Sequence, residues 1–151
     1  MSFQQKNVTV SLVNFSLILG FFTIRIFQMV QEGSFNSNNV FRLWVIVILL
    51  AVIVTIFATI LTHIVSAIIQ AIKTGEQDPK IEDFEDERDR LIDLRGTKAT
   101  YLVSSIGVLL SMLTFALGQP ALVMFTLLIF FGLAAQVIGD IYRLRLYRRG
   151  F

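Results

Sequence analysis

Cysteine is absent from this 151-residue chain, histidine occurs once and proline twice. Without cysteine there is no disulfide framework, no thiolate nucleophile and no Cys-ligated zinc. A single histidine, His63, leaves most zinc and general-base chemistries without their parts. Charge is scarce as well. Only 16% of residues are charged and 55% are hydrophobic, whereas a soluble domain carries about 25% charged residues. The phosphate-binding glycine patterns, H-E-x-x-H and G-x-S-x-G are all missing. These absences predict a chain that is not an enzyme, with no catalytic residue, cofactor or metal. The net charge of +2 is small and its basic residues flank apolar runs. That charge bears on membrane orientation, and no nucleic-acid partner is expected.

What is present is apolar length. A spanning helix needs about 20 mostly apolar residues. Four segments meet that need, at approximately 8–30, 43–70, 98–117 and 121–141. The first lacks the A-x-A-like exit of a cleaved signal peptide and is read as an uncleaved span. The second, uncharged from Leu43 to Ile72, is about 45 Å of helix against a hydrocarbon core of about 30 Å. It must therefore tilt or project. Polar turn residues from Gln31 to Asn39 separate the first two spans, and Gly118–Pro120 separates the last two. Gly75 and Pro79 open a charged linker over 73–97.

The expected fold is an all-α integral membrane protein of one domain, with four transmembrane helices as two hairpins. Orientation follows from Lys and Arg. Arg42 is the one basic residue in the two short turns, and Arg25 lies within the first span. The other eleven fall before the first span, in the linker with the start of the third span, or in the tail. Both termini and the linker are thus placed in the cytoplasm.

The linker gathers seven of the eleven Asp and Glu residues between Ile81 and Gly96, as I-E-D-F-E-D-E-R-D-R-L-I-D-L-R-G. On a helix, Glu82, Asp86, Asp89 and Asp93 share one face, while Phe84, Leu91 and Ile92 gather on another. Asp86 reaches Arg90 at i+4 and Glu85 reaches Arg88 at i+3. The pattern predicts a cytoplasmic amphipathic linker helix. Its docking residues would be Asp86, Glu87, Arg88, Asp89, Arg90, Asp93 and Arg95. Asp86, Asp89 and Asp93 are oxygen ligands suited to a hard cation, but EF-hand spacing is absent and arginines lie within pairing reach. No metal site is therefore expected.

This stretch resembles the D-E-R-[DE]-x-L-I-x-L-[KR] motif of a family of small four-helix prokaryotic membrane proteins of unknown function. Asp86, Glu87, Arg88, Asp89, Leu91, Ile92, Leu94 and Arg95 match it, and Tyr101 follows at a similar place. The resemblance covers the linker and the last two spans. It implies a bacterial-type inner membrane and a cytoplasmic linker, and no reaction.

Three further patterns stand out. Thr55, Thr59, Thr62, Ser66 and Gln70 recur at helical spacing along the second span, with His63 beside them. Such a polar seam turns toward other helices or water, as packing or as a pore. Small residues line the third span (Thr100, Ser104, Gly107, Ser111, Thr114, Gly118) and the fourth (Gly132, Ala135 or Gln136, Gly139), which lets backbones approach closely and favours a homo-oligomer. Arg25, Trp44, Asp140 and Arg143 lie near span ends and are read as membrane anchors. The expected partners are the lipid bilayer and either a second copy or another membrane protein. The functional expectation is an accessory, regulatory or scaffold protein acting through its charged linker. The alternative is a homo-oligomeric ion channel or small-solute transporter lined by the second span's seam.

Overall fold

The computed structural model describes residues 3–74 and 87–149. Those residues form four α-helices: α1, Phe3–Gln31; α2, Ser37–Thr74; α3, Glu87–Ala116; α4, Ala121–Arg149. There is no strand among them. All four are long and apolar enough to cross a membrane, and their outward surfaces carry Leu, Ile, Val and Phe in large number. The chain is a multi-pass helical membrane protein by that measure. In lipid every backbone polar group must be satisfied within its own segment, and long uninterrupted helices do this.

Glycine terminates α1 and α3 in the same way. Gly33 and Gly118 have φ of 67° and 87°. After α1, the Ser34 N–H donates to the Met29 carbonyl and the Gly33 N–H to that of Val30. After α3, Gln119 donates to Thr114 and Gly118 to Phe115. Both are Schellman caps, which need a left-handed residue that glycine adopts without a Cβ penalty. Asn36 then caps α2, its Oδ1 accepting from the Asn39 N–H at 3.0 Å.

The residues at the starts of α2 and α4, including Phe41 and Phe125, line one recess. Trp44 meets Phe125 edge-on with ring centroids 5.7 Å apart. Both short connections therefore lie at one end of the molecule. The most extensive packing is α3 on α4, followed by α1 on α4 and α1 on α2, while α2 touches α4 lightly. Helices α1 and α4 are thus the inner pair. An apolar core of Ile18, Phe22, Leu43, Val47 and Leu133 joins α1, α2 and α4.

The α3–α4 contact is built differently, from small residues. A Cβ added to Gly107 would collide with the Phe131 side chain, and one at Gly139 with Thr100. Ser111 is fully buried and returns its hydroxyl to the Gly107 carbonyl at 2.7 Å. Gly132 departs from the expected seam: it is exposed, and a Cβ there would meet nothing within 4 Å.

Two boundaries differ from the sequence-based expectation. The charged segment from Glu87 onward is the opening of α3 itself, continuous to Ala116. The rest of the expected linker helix, with Asp86 and the Glu85–Arg88 and Asp86–Arg90 pairs, lies outside the described residues. Helix α2 has 38 residues, roughly 57 Å. From Thr55 it continues to Thr74, roughly 28 Å, whereas α1 extends only roughly 12 Å beyond Ser11 to its start at Phe3.

Candidate functional site

Three polar stripes meet at the end of the helices opposite the short connections. On α4, Gln136, Asp140, Arg143 and Tyr147 recur at i, i+4, i+7 and i+11. On α3, Asp89, Asp93, Gly96 or Thr97, and Thr100 follow the same spacing. On α1, Asn7, Ser11 and Asn14 fall at i, i+4 and i+7. Each spacing returns a side chain to one face. Packing of α4 against both α3 and α1 turns the three faces toward one another.

Arg143 is the hub. Its Nε donates to Asp93 Oδ1 at 2.9 Å, its Nη1 to Asp140 Oδ1 at 3.0 Å and its Nη2 to Thr97 Oγ1 at 2.8 Å. The planar guanidinium fork suits this set of directions, which a lysine ammonium would not reproduce. Space for it comes from Gly96. The aliphatic part of Arg143 lies across that glycine, where any Cβ would overlap it. So the glycine that ends D-L-R-G is the bed of an arginine from another helix.

Asp140 is the most enclosed charged group here, 2% exposed. Burying a carboxylate is costly unless it is paired and hydrogen-bonded. Ser11 Oγ donates to its Oδ2 at 2.6 Å, and Arg143 holds its Oδ1. Gln136 Nε2 lies 3.4 Å from both oxygens, a weaker approach. Among the described residues no buried side-chain nitrogen or oxygen lacks a partner. One level further out, the Tyr147 hydroxyl lies close to the Asp89 carboxylate. Asp93 differs from Asp140, because 65% of its side chain is exposed.

Beside Asp140 lies a cavity of about 300 Å³, lined by α1 (Asn7, Ser11, Asn14), α2 (Thr55), α3 (Asp93) and α4 (Gln136, Asp140, Arg143). Its formally charged residues are Asp93, Asp140 and Arg143, so the lining carries one net negative charge. Among the described residues, no three His, Cys, Asp or Glu come close enough to hold a metal ion.

The residues singled out in the sequence fall as follows. Asp140 and Arg143, read as membrane anchors near a span end, face α1 and α3, where Arg143 pairs with Asp93 and Asp140 and Asp140 accepts from Ser11. Of the linker set, Asp89 and Asp93 turn to α4, while Glu87, Arg88, Arg90 and Arg95 are exposed. Arg25 is exposed and donates to Gln28 Oε1 at 3.1 Å. Trp44 packs between Phe41 and Phe125. Thr55 reaches the cavity, and the side chains of Thr59, Thr62, His63, Ser66 and Gln70 lie outside the described residues. Ser11, Asn7, Asn14 and Thr97 were not anticipated. The i, i+4, i+7 run of polar residues on α1 was a readable signal for three of them.

Comparison with protein-family models, with curated proteins and with solved structures finds no match to this chain. The reading of its function therefore stands on the site itself.

Proposed function

We propose that the chain is a non-enzymatic accessory or scaffold protein of a bacterial-type inner membrane. Its spans form two hairpins with both termini in the cytoplasm, and the charged start of α3 meets a partner membrane protein. One observation carries this reading. The acids Asp89 and Asp93 are engaged by α4, while Glu87, Arg88, Arg90, Leu91 and Leu94 on the same two turns are exposed. One side of the segment serves the fold and the other is open to a second protein. The distribution of Lys and Arg supports its cytoplasmic placement. Reversing Arg88 and Arg90 to Glu should abolish co-purification of one defined membrane protein while leaving thermal stability unchanged. Recovery of this chain alone from native membranes, in mild detergent, would sink the proposal.

A second reading, a homo-oligomeric channel or small-solute path along the polar face of α2, is favoured by Thr55 reaching the cavity. Bulky residues at Thr59 or Ser66 should then block flux in liposomes. Liposomes silent to common ions and pH gradients count against it.

A further inference from the structure

Two arginines at the other end of the molecule have no anion within the described chain. Arg25 on α1 and Arg42 on α2 line one recess of about 530 Å³ beneath the α1–α2 turn. Arg25 donates to Gln28 Oε1, a neutral acceptor. Among the described residues neither arginine forms an ion pair, although Glu32 lines the same recess. The formally charged residues of the lining are Arg25, Arg42 and Glu32, so its net charge is +1.

Depth decides what such a pair can meet. Arg25 lies six residues before the end of α1 at Gln31, and Arg42 lies five after the start of α2 at Ser37. Each is therefore roughly 7–9 Å along its helix from the turn, one on each wall at a similar level. Trp44 follows Arg42 two residues later and packs between Phe41 and Phe125. Tryptophan concentrates at the headgroup level of a bilayer. A charge set this far into a spanning helix is costly without an anion or a path to water, and lipid phosphates supply an anion at that level.

The recess is also graded. On α1, Phe21, Arg25, Gln28 and Glu32 fall at i, i+4, i+7 and i+11, and on α2, Asn39, Arg42 and Ile46 fall at i, i+3 and i+7. From the turn inward the lining is thus polar, then basic, then apolar. Phe21 and Ile46 are exposed, and the exposed Leu17 and Leu50 continue the apolar wall one turn further on each helix. A phospholipid has the same order from its head to its tails. The guanidinium fork matches phosphate oxygens in pairs. A soluble anion would leave the apolar wall unused, and a zwitterionic lipid would leave the surplus positive charge unmatched.

We propose that the recess between α1 and α2 binds one anionic phospholipid, its phosphodiester on Arg25 and Arg42 and an acyl chain along Phe21 and Ile46. The site requires only that the chain spans a bilayer. It is independent of any partner at the start of α3 and of which leaflet this end faces.

The test is native mass spectrometry of the full chain released from detergent micelles, after incubation with phosphatidylglycerol or with phosphatidylcholine of the same acyl chains. The expected result is one phosphatidylglycerol retained per chain in preference to phosphatidylcholine. Basic residues at the opposite end also attract anionic lipid, so variants locate the site. Arg25→Gln with Arg42→Gln, both exposed positions, should weaken that first copy roughly 30-fold. Arg145→Gln with Arg148→Gln, exposed on α4, should leave it in place. Equal retention of the two lipids by the wild-type chain overturns the proposal, and so does a wild-type preference in the Arg25 and Arg42 variant. Displacement of the lipid by an equal concentration of inorganic phosphate overturns it too, because the acyl chain would then add nothing. Should the double variant not fold, Glu32→Gln decides. Removing the competing carboxylate should raise retention of phosphatidylglycerol, and unchanged or lower retention overturns the site.

Discussion

At the scale of single residues, two carboxylates bound to one guanidinium have unequal weight. Asp140 is nearly enclosed and Asp93 is mostly open to solvent. Removing the partner of a buried charge leaves that charge uncompensated, at about 3–5 kcal/mol. Arg143→Leu should therefore destabilise the protein by about 3 kcal/mol in detergent unfolding. Adding Asp140→Asn should recover a large part of that loss, since the stranded charge is gone. Losses that simply add would show that the two side chains do not act together. Asp93→Asn breaks only an exposed bridge, and such bridges contribute about 0–1 kcal/mol. Its melting temperature should stay close to that of the wild type. Arg143→Lys should behave more like Arg143→Leu than like wild type, because one ammonium cannot span Asp93, Asp140 and Thr97 at once.

At the scale of elements, the α3–α4 contact depends on where glycine is needed. Gly107 faces Phe131 with no room for a methyl group, whereas Gly132 faces open space. Gly107→Ala should weaken the protein by about 1–3 kcal/mol through overpacking. Gly132→Ala should leave stability unchanged or raise it by about 0.5 kcal/mol through helix propensity. Equal effects of the two changes would refute the contact geometry. The seam of small residues was legible from their spacing on each helix. Which glycine of the seam is in contact was not, because that depends on the level at which two helices cross. The same holds for Gly96. Its place after a charged run suggested the end of a linker, whereas its use is to clear a path for Arg143.

At the scale of the whole molecule, the absence of cysteine is an experimental asset. Single cysteines can be introduced into a background with no native thiol. The proposed topology, with both termini in the cytoplasm, predicts that a cysteine at Ser37 reacts with a membrane-impermeant maleimide in intact cells. One at Arg145 should react only after the cells are opened. The opposite pattern would invert the proposed topology. The unequal helix lengths also belong to this scale. Helix α2 runs far beyond the level of the polar cluster, which turns the excess of apolar length seen in the sequence into a projection at the cluster's end of the molecule.

The sequence by itself determined the four helices, because apolar length, glycine caps and scarce charge act locally along the chain. The stripes that carry the site follow i, i+4 and i+7 spacing, a property of a single helix, but of the three only the acidic face with Asp89 and Asp93 was expected from the sequence. The sequence could not show which stripes face each other. Arg143 does meet Asp140 at i+3, but their other partners, Asp93 and Ser11, lie 50 and 129 positions away along the chain. Only the packing of α4 between α1 and α3 decided that those charges face inward. The acidic turn at the start of α3 then has two sides, one spent on Arg143 and Tyr147 and the other left open.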